Sequence, residues 1–455
     1  MGEYEEILGY HLEQAYRYLA ELGPLDEPVR TLATQAAERL GSAGRRAFDR
    51  ADMAAAATLL SRAVSLLPDD DRSRLELSLY LGRALEDTGD LARAEAELAQ
   101  AIEGAVALDN QALEFQARLE AVLLQMRTDR DFTSAKVLEI AKRAIQVFEV
   151  LRDDRRLARA WTALAYGCHV MCKAAATEKA LQRALEHARR AGDDRPESAS
   201  LGLLVGSAFC GPTPAKEGIR RCEEVLARHP DKRRLASHAL AALACLKAME
   251  ANFEEARELI ARARGILRDL GMTTSVAGSS EMAGFVELLA GDPAAAEKEL
   301  RAGYETLEQM GEMNDFAAVA GVLAEAVRAQ GREEEAFRLT EICEEAARDY
   351  PDTQVAWRVT RAKVLAGRGR VEEAEALARE AVGIAEKTDW LNLHADALMS
   401  LGEVLRLAGN PGEARAAIAE AAGLYEQKGN LVSSGRASTA LADVKAGVEL
   451  TKSTR

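Results

Sequence analysis

One short phrase returns at near-constant intervals along this chain, and nothing else in it limits the fold so strongly. In 89–105, GDLARAEAELAQAIEGA, a Gly-Asp break is followed by Ala94, Leu98 and Ala101. The order is a small or polar break, an alanine, an apolar residue four on, and a small residue three further. It recurs after Ala51 (Ala56, Leu60, Ala63), Ala251 (Ala256, Ile260, Ala263) and Gly291 (Ala296, Leu300, Gly303). Looser copies follow Gly331 (Ala336, Thr340, Cys343) and Gly369 (Ala374, Ala378, Ala381), and a close one follows Gly409 (Ala414, Ile418, Ala421). Between 89 and 251 the phrase weakens, with candidate breaks near Arg130, Cys172 and Cys210. The ten markers are separated by 38 to 42 residues.

Apolar residues at i, i+4 and i+7 fall on one face of a helix, so each phrase reads as one helix. A second helix precedes each marker, as in LELSLYLGRALEDTG (75–89) and LHADALMSLGEVLRLAG (393–409), and the Gly-Asp or Gly-Asn pair suits the turn between them. The unit is a helical hairpin. Where two helices cross closely a large side chain would hold their axes apart, so Ala or Gly is required at the contact while Leu fills the space beside it. Gly82, Ala165, Ala244, Gly284, Ala324 and Gly402 occupy the matching place in the first helix. A single hairpin leaves its outer stripe wet; stacking hairpins buries it as a continuous core. The expectation is an all-α solenoid of about ten hairpins, each spanning about forty residues. The composition agrees, with 48% hydrophobic but only 5% aromatic residues, so alanine and leucine must set the helix spacing.

A net charge of −15 gives no positive field to attract nucleic acid or anionic lipid, and neither is expected as a partner. The six cysteines lie in apolar phrases without the spacing of a disulfide framework, which suits a reducing, cytoplasmic setting. The first residues, MGEYEEILGYHLEQA, are acidic where a signal peptide is basic, and Glu6 breaks a myristoylation pattern. The longest apolar run, ALAALACL (239–246), is too short to span a membrane.

Candidate sites each have a plainer explanation. CHVMC (168–172) sets Cys168 and Cys172 one helical turn apart, but a closed zinc site needs four ligands and His169 points about 100° away, so buried cysteines are expected. KEGIRRCEEVLARHPDKRR (216–234) is the most basic stretch, yet Glu217, Glu223, Glu224 and Asp231 interrupt it, as on a solvated helix end. His11, His187, His229, His238 and His394 stand apart from any nucleophile at diagnostic spacing. Asp69, Asp70 and Asp71 after Pro68 lack the alternation of a calcium loop and suit a turn into an N-cap. GMTTSVAGSS (271–280) reads as a loop or a helix start of small residues, serving as a hinge or a close helix contact. Pairs such as Glu258 with Arg262 and Glu375 with Arg379 decorate exposed faces. No catalytic site, cofactor or metal is expected.

LYLGRALEDTGDLARAEAELAQAI resembles a tetratricopeptide (TPR) repeat. Leu81-Gly82 match its first helix and Ala94, Leu98 and Ala101 its second; Trp161, Leu164 and Ala165 resemble its opening Trp and Leu-Gly, and Pro68 its closing proline. The period exceeds the usual repeat of about 34 residues. The resemblance implies a right-handed α-solenoid. A second resemblance covers most of the chain. EYEEILGYHLEQAYRYLAELGPLD (3–26), 59–85, 389–414 and 424–444 are similar to the C-terminal region of bacterial proteins that join a class III adenylate or guanylate cyclase, a signalling ATPase and a helical repeat array. It implies a junction helix over 1–26, the repeat array over 27–447 and a tail over 448–455. Its ATPase and cyclase parts are missing from this chain: no GxxxxGK[ST] occurs. The function expected is a non-enzymatic scaffold or sensor that recognises a protein, a peptide or a small inducer. The alternatives are the sensor half of a transcription regulator and a free-standing adaptor.

Overall fold

The structure, a computed structural model, describes residues 2–346 and 349–453. The repeated break is where the backbone reverses. Gly89, Gly291, Gly331, Gly369 and Gly409 all have positive φ, and so do the non-glycine markers Ala51 (61°), Cys172 (54°) and Ala251 (66°). A side chain in this left-handed region costs roughly 1–2 kcal/mol, so these three hold a turn that glycine makes freely elsewhere. The two weakest markers turn differently, through 129–133 and 211–214. Asp and Asn follow several breaks and open the next helix: Asp52 accepts from Ala55 N, and Asp292 from Ala295 N.

Among the described residues every regular element is a helix. After α1 (Gly2–Leu22) come ten hairpins. The first five are α2 (Glu27–Asp49) with α3 (Met53–Val64), α4 (Arg72–Thr88) with α5 (Leu91–Ala107), α6 (Gln111–Thr128) with α7 (Ser134–Leu151), α8 (Asp154–Val170) with α9 (Ala174–Ala191), and α10 (Asp194–Cys210) with α11 (Ala215–Arg228). The sixth is α12 (Arg233–Met249) with α13 (Phe253–Asp269). In the seventh a broken first helix, α14 (Thr273–Gly278) and α15 (Ser280–Ala290), pairs with α16 (Pro293–Met310). The last three are α17 (Asn314–Ala329) with α18 (Glu333–Ala346), α19 (Pro351–Gly367) with α20 (Val371–Ala385), and α21 (Leu391–Leu407) with α22 (Pro411–Lys428). A final helix, α23 (Leu431–Ser453), runs across most of the stretch read from sequence as a tail.

Within a hairpin, the leucine of the second helix sits over the small residue of the first. A Cβ on Gly82 would stand 2.8 Å from Leu98 Cγ, one on Gly44 2.8 Å from Leu60 Cγ, and one on Gly284 2.6 Å from Leu300 Cγ. Gly402 faces Ile418 in the same way. Ala56, Ala63, Ala94, Ala101, Ala256, Ile260, Ala263, Ala296, Ala414 and Ala421 are buried. Trp161 and Leu164 are half-buried, lying against Leu181 and Ala180 of the second helix of their hairpin.

One sequence reading changes, and one that was open between two alternatives is decided. Cys172 is not one turn along a helix from Cys168: α8 ends at Val170, and Cys172 is the buried left-handed turn residue. Residues 273–278 and 280–290 are helical, and their small side chains make room for Gly303 of α16, which lies against Ser280 and the Ala277 carbonyl. A close helix contact accounts for that composition.

The array also winds until its edges meet. The turns inside the first four hairpins each dock onto the turn between two hairpins further on, and that of the fifth docks onto the turn between the tenth hairpin and α23. Met53 N donates to Leu270 O (3.2 Å), and Gly89 packs on Met310. Ser134 N and Oγ donate to the Asp349 carboxylate (3.1 and 2.7 Å), Ala174 N and Ala175 N to that of Asp389 (2.6 and 3.0 Å), and Gly429 packs on Ala215. The hydrogen-bonded side-chain pairs lie 215 residues apart. Hairpin one thus meets the junction of hairpins six and seven, and hairpin four that of nine and ten. This puts between five and six hairpins in each superhelical turn.

Candidate functional site

Successive first helices pack on one another, as α10 on α12, α17 on α19 and α19 on α21, whereas successive second helices stand further apart, so the first helices α2, α4, α6, α8, α10, α12, α15, α17, α19 and α21 form the concave inner wall. Its polar groups fall into paired clusters. Glu120 is buried between Arg159 (2.8 and 2.5 Å) and Arg83 (3.6 Å); burial alone would raise its carboxyl, but the two guanidiniums hold it below the ordinary value. Arg127 reaches Glu86 (3.1 Å), Glu312 and Asp315 (both 3.5 Å), while its carbonyl accepts from Met313 N (2.6 Å), so one residue ties α4, α6 and α17 across the seam. Arg234 holds Asp87 (3.0 and 3.3 Å). Burial would raise Glu325, but Lys363 (3.1 Å) and Arg328 (2.8 Å) bring it to about 2.

Lys428 is the most enclosed cation. Its side chain is fully buried, and Nζ donates to the carbonyls of Ala208 (2.9 Å), Gly211 and Thr213 (both 2.7 Å). Those carbonyls end α10, where the helix leaves its acceptors unpaired, and an ammonium from the next superhelical turn completes them. Burial pulls the amine down to about 8. Arg436 does the same for Leu288 and Leu289 near the end of α15 (3.0 and 2.9 Å).

Other interior groups lack such neutralisation. Burial pushes Glu281 up to about 8, and repulsion from Asp352 and Asp315 adds to the shift; no cation pairs with it among the described residues. Asp352 is raised to about 6 by burial. Burial also raises Asp396 to about 6, even though the Tyr425 hydroxyl donates to it and Lys363 pulls the other way, and burial lowers His238 to about 4. His169 is lowered to about 4 by burial and lies 5.2 Å from the Trp390 ring; among the described residues His169 Nδ1, Trp390 Nε1 and His394 Nε2 have no hydrogen-bond partner.

The Glu281 shift has a testable sign. Between about pH 4.5 and 8 the folded protein keeps a proton that the unfolded chain has released, so this group lowers stability progressively as pH rises through that window. Glu281→Gln is therefore expected to stabilise the protein at pH 8.5, by on the order of 2 kcal/mol, and to leave it unchanged at pH 4. Thermal melts at the two pH values check this; equal effects at both would contradict it.

The sequence candidates are dispersed or satisfied. Within 216–234, Arg220 pairs with Glu217 and Glu224, Arg221 with Glu217 and Glu178, Arg228 with Glu224, Arg233 with Asp269 and Arg234 with Asp87. Asp71 caps α4, accepting from Ser73 N and Arg74 N, and Asp69 pairs with Arg74 (2.9 Å). His187 Nδ1 donates to the Asp154 carboxylate (2.6 Å). Cys168 and Cys210 are half-buried, while Cys172, Cys222, Cys245 and Cys343 are buried; all six are free thiols. Among the described residues no three His, Cys, Asp or Glu side chains gather as a metal site, and no helix is long and apolar enough to cross a membrane. A cleft of about 350 Å³ lies between α13, α15 and α16, where Arg257 is taken up by Glu287 and Arg264 by Glu299.

Sequence reasoning did not find the seam residues Asp349, Asp389, Arg127 and Lys428. A signal existed for two of them: Asp349-Tyr350 and Asp389-Trp390 are Asp-aromatic pairs 40 residues apart, each just before a first helix.

No family model and no curated protein sequence matches the chain. Solved structures similar to it include a Rap protein complexed with competence and sporulation factor, at 13% identity over 84% of this chain and 99% of that one, with a TM-score of 0.49. Yeast Tom70 is similar at 13% identity over 98% and 96% of the two chains, with a TM-score of 0.41. The Cut9–Hcn1 hetero-tetramer of the APC/C is similar at 12% identity over 98% and 96%, with a TM-score of 0.40. No function is carried over from these likenesses. The protein is an all-helical solenoid of TPR-like hairpins.

Proposed function

We propose that this chain is a non-enzymatic scaffold that recognises a protein or peptide partner on the inner wall of its superhelix. The observation that carries the reading is Glu281, a carboxyl enclosed on first helix α15 that no cation pairs with among the described residues. A carboxyl kept protonated by its surroundings gives up its proton when a cationic group is brought beside it, so a cationic ligand would ionise Glu281 and pair with it. The partner favoured is a basic segment. The resemblance of 3–26, 59–85 and 389–414 to the repeat region of cyclase and ATPase signalling proteins supports partner domains of those kinds. It also supports a regulatory role, with a small cationic inducer as the lesser form of the same recognition.

A fluorescent oligolysine peptide and an oligoglutamate peptide of equal length test the reading. Oligolysine is expected to bind with an affinity that falls with salt and weakens at least about ten-fold in Glu281→Gln, as loss of one close charge pair predicts. Binding of oligoglutamate in preference, or oligolysine binding unaltered by Glu281→Gln, would refute it.

A further inference from the structure

One guanidinium on the inner wall lacks a carboxylate of its own. Among the described residues Arg83 of α4 has a single anionic neighbour, Glu120 of α6, at 3.6 Å and so beyond hydrogen-bond reach. Both oxygens of Glu120 are already held by Arg159 of α8 (2.8 and 2.5 Å). The next carboxylates are engaged as well. Asp87 takes both terminal nitrogens of Arg234 on α12 (3.0 and 3.3 Å), and Glu86 goes to Arg127 (3.1 Å). Arg83 is therefore a surplus charge, and its surroundings register it: burial, and repulsion from Arg159 and Arg234, pull it below the ordinary arginine value although Glu120 acts the other way.

This surplus is fixed in the wall and is not a loose surface side chain. The Arg83 guanidinium lies 4.9 Å from the centre of the Phe48 ring of α2, a cation–π contact, and Phe48 is buried edge-on to Tyr80. Only 27% of the Arg83 side chain is exposed. A chain with a net charge of −15 thus sets three guanidiniums from three first helices around two carboxylates, with an aromatic ring beneath one of them. Arg83 spends no N–H on a carboxylate, and Arg159 and Arg234 keep N–H groups beyond those given to Glu120 and Asp87. A carboxylate from a ligand would fill one such fork. Donors brought by separate helices suit a group whose oxygens point in three directions, as those of a phosphoryl group do.

We propose that Arg83, flanked by Arg159 and Arg234, binds a phosphoryl group on the inner wall, carried by a phosphorylated peptide segment or by a small phosphate ester. The site is independent of Glu281, which lies on α15, so either can fail without the other.

Calorimetry with a phosphoserine peptide, its unphosphorylated counterpart and glycerol phosphate tests the assignment. The phosphorylated peptide is expected to bind and its counterpart not to. Glycerol phosphate binding as tightly as the peptide assigns the small ester as the source, and weaker binding assigns the peptide. Arg83→Gln should weaken binding at least about ten-fold, whereas Arg143→Gln, which removes the same charge from second helix α7, should leave it unchanged. Melts separate a binding role from a structural one. Losing a surplus charge should leave the melt of Arg83→Gln at or above that of the parent, while Arg159→Gln, which strips Glu120 of its hydrogen-bonded partner, should lower it. Failure of both phosphorylated probes to bind would overturn the proposal. So would equal binding of the two peptides, equal losses in Arg83→Gln and Arg143→Gln, binding unaltered by Arg83→Gln, or a melt of Arg83→Gln that falls with that of Arg159→Gln.

Discussion

Gly303→Val is expected to destabilise the protein by upward of about 3 kcal/mol, the high end for overpacking a closed contact. Gly303 lies where α16 crosses the break between α14 and α15, and a Cβ there would stand 2.6 Å from both the Ala277 carbonyl oxygen and Ser280 Cβ. The oxygen belongs to backbone, so no rotamer change makes room; α14 would have to move and release its contacts with α4 and α17. Denaturant unfolding monitored by circular dichroism measures the loss. The proper control is Gly265→Ala on α13, where an added Cβ meets nothing within 4 Å. There the better helix propensity of alanine should stabilise by roughly 0.5–1 kcal/mol. Equal effects at the two positions would show that Gly303 is not a contact glycine.

Leu98→Ala is the second large effect, expected to cost about 2–5 kcal/mol. Leu98 is 2% exposed and fills the hollow above Gly82, so truncation opens a cavity that a backbone-to-backbone contact cannot collapse. In an array each hairpin is supported mainly by its neighbours, so the loss is expected to appear first as melting around α4 and α5. A melt indistinguishable from the parent would show that the repeated leucine does not hold the hairpin.

The hairpin was legible because its physics is local. A left-handed turn, a leucine over a glycine and the alanines on either side of it all lie within forty residues, and periodicity reports each of them. Even Ala51 and Ala251 reveal themselves as breaks by register alone, though their residue type gives no hint of positive φ. The superhelical seam was not legible in the same way. Asp389 caps α9 from 215 residues away, while the residue preceding α9, Lys173, makes no side-chain cap bond. Nothing in the sequence near α9 tells where its cap comes from. Lys428 is a similar case: between Gln427 and Gly429 it reads as an ordinary lysine closing a helix, and only the winding of the array buries it. The interior acids escape a sequence reading for the same reason, since Glu281 and Asp352 lie 71 residues apart in sequence and only the fold brings Asp352 near enough to raise Glu281.

The most direct test of the wound, self-docked array is amide hydrogen exchange on Asp389→Ala and Asp349→Ala. Each aspartate accepts the first N–H groups of a helix one superhelical turn away, and losing such a cap costs about 1 kcal/mol. Faster exchange is predicted at the start of α9 in Asp389→Ala and at the start of α7 in Asp349→Ala, beyond whatever changes near the substitutions. Changes confined to 385–400 and 345–358, with α7 and α9 protected as in the parent, would contradict the account.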